Sequence, residues 1–267
     1  MAAQRVILIT GATDGLGRRV AERLASPRVL LLVHGRDRAR GQAVVASIEA
    51  AGGAAEFLEA DFASLDAVRR MAEKIAAAHP QLDIVVNNAG IALAKGPRRL
   101  SEDGHELTFA VNYLAGFLLT ALLRPCLGRA RPSRVINVAS AGQNPIDFGN
   151  VMLEHGYDGM RAYCQSKLAD IMLAFDLAQE WAGSNLSAAS LHPGTYMDTG
   201  MVRAAGITPI TPVEVGAEAV LALVNNPAAS VSGRYFDVKR EARASAQAYD
   251  MEARRKLRAL SLELTGL

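Results

Sequence analysis

Short apolar runs alternate with longer segments of helical periodicity along the whole chain. Most of the short runs are continuously apolar, which is typical of strands buried on both faces of a sheet. Gly, Asp or Ser stands at most of the joins, as helix caps and turns require. The predicted strands are Val6–Thr10, Val29–His34, Ala54–Ala60, Leu82–Asn87, Arg134–Ala139, Leu186–His192 and Gly233–Phe236. The predicted helices span about 15–26, 38–51, 64–79, 104–128, 161–183, 212–226 and 241–264.

Regular alternation of strands and helices implies right-handed crossovers. We therefore expect one α/β domain over residues 1–267, with a doubly wound, mostly parallel seven-stranded sheet and helices on both faces. Two long connections, at about 140–160 and 193–211, interrupt the alternation. Both leave from the carboxyl edge of the predicted sheet, where open parallel sheets bind their ligands.

Composition and charge exclude several kinds of partner. The chain has 267 residues and a formal net charge of +2. It therefore lacks the excess of positive charge that favours binding to nucleic acid or an anionic membrane. Cys126 and Cys164 are expected to be reduced thiols rather than a disulfide framework, and no metal site is expected. The longest apolar run, Leu114–Leu123, is shorter than the ~20 residues of a membrane span. We expect a cytoplasmic protein that binds neither membranes nor nucleic acid.

A glycine-rich turn joins the first predicted strand to the first helix. A plain tight turn is the simplest reading, but its position favours dinucleotide binding. Gly11 suits a tight turn, Gly15 allows a pyrophosphate to approach the backbone, and Gly17 allows close packing of helix on strand. The helix N-terminus behind them presents free N–H groups to phosphates. The cofactor residues predicted here are Gly11, Thr13, Asp14, Gly15, Leu16 and Gly17.

The end of the second strand is expected to contact the adenine ribose. Arg36 would pair with a 2′-phosphate, which favours NADP(H) over NAD(H). Asp37 is the competing ribose ligand that would permit NAD(H), although it also has the character of a helix N-cap. Asp61 follows the third strand and is predicted to accept from the adenine amino group. After the fourth strand, amides are expected to lock neighbouring strands, and the predicted cofactor residues are Asn88, Ala89 and Gly90.

Taken in order, these motifs carry a resemblance. They are Thr10–Gly17, Asn87–Gly90, Ser140, Tyr163–Lys167 and Pro193–Gly194. Over about the whole chain they resemble the short-chain dehydrogenase/reductase family, most closely its retinol dehydrogenase-like branch. The resemblance implies a Rossmann fold and an oxidoreductase that interconverts a carbonyl and an alcohol with a nicotinamide cofactor. It further implies a catalytic tetrad of Asn112, Ser140, Tyr163 and Lys167, and cofactor contacts from Tyr163, Lys167, Pro193, Gly194 and Thr199.

The chemistry of the residues supports the central pair of that tetrad. Tyr163 and Lys167 stand four positions apart and therefore share one face of a helix. A free tyrosine has a pKa of ~10, so it needs a nearby cation to exchange protons near neutrality. Ser140 would bind the reacting oxygen, while Tyr163 acts as general acid or base. Such a pair is common by chance, and Tyr157, with Arg161 four residues on, is a rival.

Other classes of protein fit the sequence less well. A Ser–His hydrolase would use Ser140 and His192, but Val138 stands where the nucleophile elbow requires glycine. An extended epimerase would show a different glycine spacing and a larger C-terminal domain. A catalytically silent dinucleotide sensor is the main alternative, and the intact tetrad argues against it.

The two long connections bear on the substrate. Their apolar residues either pack the loops onto the domain or line a cleft for a lipophilic carbonyl or alcohol. These residues are Phe148, Val151, Met152, Leu153, Met160, Met197, Met201, Val202 and Ile207. The family resemblance also makes a homodimer or homotetramer through the two long helices possible.

Overall fold

A computed structural model describes residues 4–93, 95–129 and 131–267 of the chain. Its strands form one sheet in the order β3-β2-β1-β4-β5-β6-β7-β8. The strands are β1 (Arg5–Ile9), β2 (Val29–Gly35), β3 (Ala54–Glu59), β4 (Ile84–Asn87), β5 (Ser133–Val138), β6 (Leu186–His192), β7 (Tyr235–Asp237) and β8 (Arg240–Ala242).

The sheet confirms the predicted fold class and corrects the number of strands. β1 to β7 are parallel, and the chain order reverses between β1 and β4, where doubly wound sheets bind nucleotides. The prediction of seven strands is wrong, because β8 adds an antiparallel edge to β7. β8 has only three residues, Arg240, Glu241 and Ala242. It carries no apolar run, because an edge strand can face water on its open side.

Helices cover both faces of the sheet, as predicted. Along β1, Ile7 and Ile9 pack into the core beneath one helical layer, while Leu8 faces the core of the other. This alternation follows from the two-residue period of a strand. The helices are α1 (Gly15–Leu24), α2 (Arg38–Ala50), α3 (Leu65–Ala78), α4 (Leu107–Phe109), α5 (Ala115–Leu123), α6 (Gly159–Glu180), α7 (Gly200–Ala204), α8 (Val213–Asn225), α9 (Ala228–Val231) and α10 (Met251–Thr265).

The central helix is less regular than its sequence suggests. A π-helical segment, Ala110–Leu114, joins α4 to α5, and a 3₁₀ turn, Arg124–Cys126, follows. The helical stretch Leu107–Cys126 has a mean hydropathy of 1.5 and is 72% buried inside the fold. It is long and apolar enough to cross a membrane, so the expectation that no apolar segment reaches that length is wrong. In the structure it packs against α3 and α6.

The C-terminal part of the chain also differs from the prediction. Residues 240–249 form β8 and a 3₁₀ turn, so the last helix begins at Met251 rather than near 241. Asp250 caps it by accepting from two backbone N–H groups. α10 then packs against α6 through Arg254, whose Nε donates to Asp176 at 2.6 Å. Most residues of α5 and α6 are buried within one chain.

Candidate active site

The glycine-rich turn is tied to the end of β4 by side-chain hydrogen bonds. Thr10 Oγ1 accepts from the backbone N–H groups of Asn88 and Ala89, both at 2.9 Å. In return, the Asn88 side-chain amide donates to the carbonyls of Thr10 and Gly11 at 2.8 and 3.1 Å. One strand over, the Asn87 amide donates to Asn137 of β5 at 3.0 Å. The prediction that these amides lock neighbouring strands is confirmed.

Two glycines of the turn have no room for a side chain. Gly11 has φ of +62°, and a Cβ there would lie 2.7 Å from the Cα of Ala89. A Cβ on Gly17 would lie 2.4 Å from the Gly11 carbonyl oxygen and 2.5 Å from the Asn88 amide. The close approach predicted for Gly17 is therefore present, and the turn leaves the N-terminus of α1 open to the cleft.

Two aspartates beside the turn are helix caps. Asp14 accepts from the Gly15 N–H at 2.7 Å and starts α1, while Asp37 accepts from the Arg40 N–H at 3.0 Å and starts α2. Asp37 thus has the capping role that competed with ribose binding. Arg36 extends into solvent with 72% of its side chain exposed, and its guanidinium lies 3.9 Å from the carboxylate of Asp61. This exposed guanidinium lies at the edge of the cleft.

A cleft of about 790 Å³ follows the carboxyl edge of the sheet across the β1–β4 switch. Every predicted cofactor residue except Gly17 lines it, and so do Ser140, Tyr163 and Lys167. The predicted residues lining the cleft are Gly11, Thr13, Asp14, Gly15, Leu16, Arg36, Asp61, Asn88, Ala89, Gly90, Ser140, Tyr163, Lys167, Pro193, Gly194 and Thr199. The sequence motifs therefore meet in one place.

The fit of a dinucleotide to this cleft rests on its backbone. The turn presents N–H groups at a helix N-terminus, and the steric limits at Gly11 and Gly17 hold its path. The cleft volume is within the range of small-molecule and cofactor sites. A nicotinamide dinucleotide therefore fits the residues present.

Ser140 follows β5 and is held by its neighbours. Its Oγ accepts from the Gly142 N–H at 3.0 Å, and its carbonyl accepts from the Tyr235 hydroxyl at 3.1 Å. Ser140 therefore lines the cleft from a turn that these two hydrogen bonds hold. The rival Tyr157 points elsewhere, because its hydroxyl donates to the buried carboxylate of Glu106 at 3.4 Å. Burial, followed by the Glu106 charge, raises the pKa of Tyr157.

Lys167 reaches the cleft from α6 as a buried cation. Its Nζ donates to the Val138 carbonyl and to Asp170, each at 2.9 Å. Burial alone would lower the pKa of Lys167, but the charges of Asp170 and Tyr163 together raise it. The ammonium is therefore retained near Tyr163, as an acid–base role for that tyrosine requires. Asp170 is not among the predicted site residues, although its i,i+3 spacing from Lys167 was a usable signal.

Asn112 lies behind the cleft rather than in its wall. It sits in the π-helical segment, where its Oδ1 accepts from the Ile91 N–H at 2.7 Å. Its amide donates to the Ile91 carbonyl and to Ser166. A Cβ atom placed on Gly90 would lie 3.3 Å from Asn112 Oδ1 and 3.6 Å from Lys167 Nζ. Asn112 and Lys167 therefore approach each other across Gly90.

The second long connection forms the far wall of the cleft. It contains α7, which the sequence analysis missed; Thr199 caps this helix and lies against Gly15. His192 is buried at the end of β6 and is bonded through Nε2 to Thr195 at 3.1 Å. Burial lowers the pKa of His192. This contact ties His192 to the turn that follows β6.

Some apolar residues of the two long connections pack onto the domain, and others line the cleft. Phe148, Val151 and Met152 pack against the hydrophobic core, and Leu153 is buried. Those lining the cleft are Met160, Met197, Met201, Val202 and Ile207. The first connection therefore mostly covers the domain, whereas the second forms an apolar cleft wall.

Comparisons with known proteins agree with this geometry. The sequence model of the short chain dehydrogenases matches residues 5–208. The chain is 38% identical to mouse (Mus musculus) polyprenol dehydrogenase, covering 98% of this chain and 84% of that protein. It is 34% identical to human (Homo sapiens) retinol dehydrogenase 13, covering 98% and 85%.

Solved structures give the same result. A short chain dehydrogenase from Burkholderia cenocepacia J2315, solved in complex with NADP, has a TM-score of 0.71 and 29% identity over 88% of this chain and 95% of that one. An uncharacterized protein from Mycobacterium paratuberculosis reaches a TM-score of 0.82 at 30% identity, covering 99% and 94%. With its parallel sheet, glycine turn and shared cleft, the chain belongs to the short-chain dehydrogenase family and is similar to its retinol dehydrogenases.

Proposed function

We propose that the protein interconverts a lipophilic ketone or aldehyde and the corresponding alcohol, with NADP(H) as the favoured cofactor and Tyr163 as general acid and base. Membership of the family supports the coarser statement, an oxidoreductase that uses a nicotinamide dinucleotide. The observation that carries the proposal is the shared cleft. The glycine turn at one end and Ser140, Tyr163 and Lys167 at the other line the same space.

The cofactor would be held by backbone and by one arginine. The N–H groups at the start of α1 bind the pyrophosphate, Arg36 pairs with a 2′-phosphate, and Thr199 contacts the nicotinamide end. When bound, the cofactor supplies or accepts the hydride. The solved relatives in complex with NADP support the phosphorylated form.

The protein's own residues manage the proton. Ser140 Oγ donates a hydrogen bond to the substrate oxygen and orients it beside the Tyr163 hydroxyl. During reduction Tyr163 donates its proton to that oxygen, and during oxidation it removes the proton from the alcohol. The Lys167 ammonium stabilises the tyrosinate. Asn112 lies across Gly90 from Lys167, where it would hold a water that links Lys167 to solvent.

Apolar side chains support a lipophilic substrate. Met160 and Met201 line the cleft with 46% and 38% of their surface exposed, and Leu100 adds a further 51%-exposed side chain at the same cleft. Flexible methionines adapt to apolar ligands of varied shape. Two of the relatives are named for polyprenol and retinol, which are apolar alcohols, and these names agree with a lipophilic substrate. A cytoplasmic location and a homo-oligomer stay predictions.

The test is a panel of carbonyls and alcohols, run with both nicotinamide cofactors. We expect NADPH-dependent reduction of long-chain or aromatic carbonyls and little activity on small polar sugars. Tyr163→Phe is expected to lower kcat by at least about 100-fold while leaving cofactor affinity within about twofold, because it removes only the proton-transfer group. Tyr157→Phe is the matched control and should retain activity.

Three results would contradict the proposal. Turnover retained by Tyr163→Phe would exclude the assigned acid and base. A preference for polar sugars would exclude the lipophilic substrate. Cofactor binding without turnover on any member of the panel would favour the dinucleotide sensor.

A further inference from the structure

His34, the next-to-last residue of β2, joins three parts of the cofactor cleft. Its Nδ1 lies 3.2 Å from the backbone nitrogen of Gly11, and its Nε2 lies 3.1 Å from the carbonyl oxygen of Ala60. Its ring stacks on Phe62, with centroids 4.1 Å apart and planes 19° from parallel. The side chain is 3% exposed, and the cleft wall includes all four residues.

The two hydrogen bonds specify the protonation of the ring. A backbone N–H can only donate, and a carbonyl oxygen can only accept. His34 must therefore be neutral, with its proton on Nε2 and a lone pair on Nδ1 toward Gly11. Burial lowers the pKa of His34 to about 4, although the Ala60 carbonyl and the Asp61 charge act in the opposite direction. The ring consequently has the required neutral form at physiological pH.

The bond to Gly11 acts where the turn has the least freedom. Gly11 has φ of +62° and already approaches Ala89. The main chain adds a second tie, because the Ala12 N–H donates to the His34 carbonyl at 2.8 Å. His34 thus fixes the turn through both its backbone and its ring, and also bonds the end of β3 beside Asp61.

We propose that His34 is a positioning residue for the dinucleotide. Its neutral ring sets the Gly11 turn in the shape that binds the pyrophosphate and couples that turn to the adenosine end of the cleft through Ala60 and Phe62. The role rests on the proposed function, since it presumes dinucleotide binding. Preorganisation of this kind raises affinity, because less of the loop must be ordered during binding.

Three substitutions separate the hydrogen bonds from the packing. In His34→Asn the side-chain oxygen occupies the place of Nδ1 and can still accept from Gly11. In His34→Gln the amide can still donate to Ala60, but no acceptor lies at Nδ1. His34→Phe keeps an aromatic ring against Phe62 and removes both hydrogen bonds.

The measurement is the Kd of NADPH, determined by isothermal titration calorimetry, with kcat at saturating NADPH alongside. We expect His34→Asn to bind within about threefold of the native protein, and both His34→Gln and His34→Phe to bind at least about tenfold more weakly, as loss of a positioned hydrogen bond implies. For all three, kcat is expected to change less than about twofold, because the ring does not touch the reacting atoms.

Equal affinity of His34→Phe and the native protein would overturn the role, and so would equal weakening by His34→Asn and His34→Phe. A measurement on the unmodified protein covers the case of variants that fail to fold. Long-range ¹H–¹⁵N correlation spectra should show His34 protonated at Nε2, and a proton on Nδ1 would overturn the role. Native protein that binds neither NADPH nor NADH would instead overturn the proposed function together with this inference.

Discussion

Lys167 and Asp170 form a buried ion pair on one face of α6. The Lys167 Nζ lies 2.9 Å from an Asp170 carboxylate oxygen, and the two side chains are only 7% and 6% exposed. Burial raises the pKa of Asp170 to about 6, against the lowering effect of Lys167. Above that pH the carboxylate raises the pKa of the buried Lys167 and so keeps its ammonium beside Tyr163.

Asp170→Asn is therefore expected to shift the pH profile of alcohol oxidation. Without the carboxylate, burial lowers the pKa of Lys167, because the charge that raises this pKa most is lost, and less ammonium remains to stabilise the tyrosinate. The pH of half-maximal kcat should rise by about one unit. Protonated Asp170 resembles asparagine in charge, so the native and variant profiles should converge below about pH 6, the pKa of this carboxyl.

Asp176→Asn is the matched control for that experiment. Asp176 lies on the same helix and pairs with Arg254 at 2.6 Å, and it is not among the described residues that line the cleft. Its substitution should leave the profile in place. An unshifted profile in a folded Asp170→Asn variant would show that Asp170 does not modulate Tyr163.

Cofactor preference can be tested at Arg36. Its guanidinium is exposed at the cleft, 3.9 Å from Asp61. Arg36→Leu is expected to raise the Kd of NADPH by about 10- to 100-fold, the effect of losing a charge-assisted hydrogen bond. The Kd of NADH should change less than about twofold. Arg38→Leu is the control, since Arg38 is bonded to Glu59 at 2.8 Å. Parallel weakening of both cofactors by Arg36→Leu would exclude a phosphate-specific role.

Sequence reasoning predicted the features that depend on residues close together in the chain. Buried strands appear as continuous apolar runs, and the glycines of the turn and the cap at Asp37 are recognisable from neighbouring residues. Because ligands bind at the carboxyl edge of parallel strands, the remaining motifs are predicted to lie at that same edge. That rule explains why nearly all predicted cofactor residues share one cleft.

The features that it missed depend on contacts between distant segments. His34 ends the predicted second strand, yet its role requires the Ala60 carbonyl, 26 residues further on. The short α7 and β8 contain five and three residues, too few for a recognisable period. The π-helical segment around Asn112 likewise has no apolar pattern that distinguishes it from an α-helix.

Two glycines offer opposite steric tests. A Cβ on Gly17 would meet the Gly11 carbonyl oxygen at 2.4 Å, so Gly17→Ala is expected to lower the free energy of unfolding by about 1–3 kcal/mol and to abolish NADPH binding.

Gly116 lies within α5, where a Cβ would be 3.5 Å from Asn87, an ordinary contact. Gly116→Ala should stabilise the helix by up to about 1 kcal/mol. Urea unfolding and calorimetry check both, and normal NADPH affinity in Gly17→Ala would contradict the assigned packing role.

A buried hydroxyl pair joins α10 to the π-helical segment next to Asn112. Tyr113 and Ser261 are 1% and 0% exposed, and their oxygens lie 2.7 Å apart. Ser261 Oγ donates to the Leu257 carbonyl at 2.7 Å, so the Tyr113 hydroxyl is the donor between the two. Burial raises the pKa of Tyr113, which keeps that proton in place.

Removing one or both partners of this pair should have unequal effects. Ser261→Ala leaves the Tyr113 hydroxyl buried without its acceptor and is expected to cost about 1–3 kcal/mol of unfolding free energy, whereas Tyr113→Phe should cost about 1 kcal/mol. The double variant should be more stable than Ser261→Ala alone, because no donor is then stranded. Ser230→Ala, which removes an exposed hydroxyl bonded to Pro227 at 2.8 Å, should change stability by less than about 0.5 kcal/mol. Strictly additive losses in urea unfolding would show that the two hydroxyls do not act as a pair and that the contact between α10 and the π-helical segment at Tyr113 depends on packing alone.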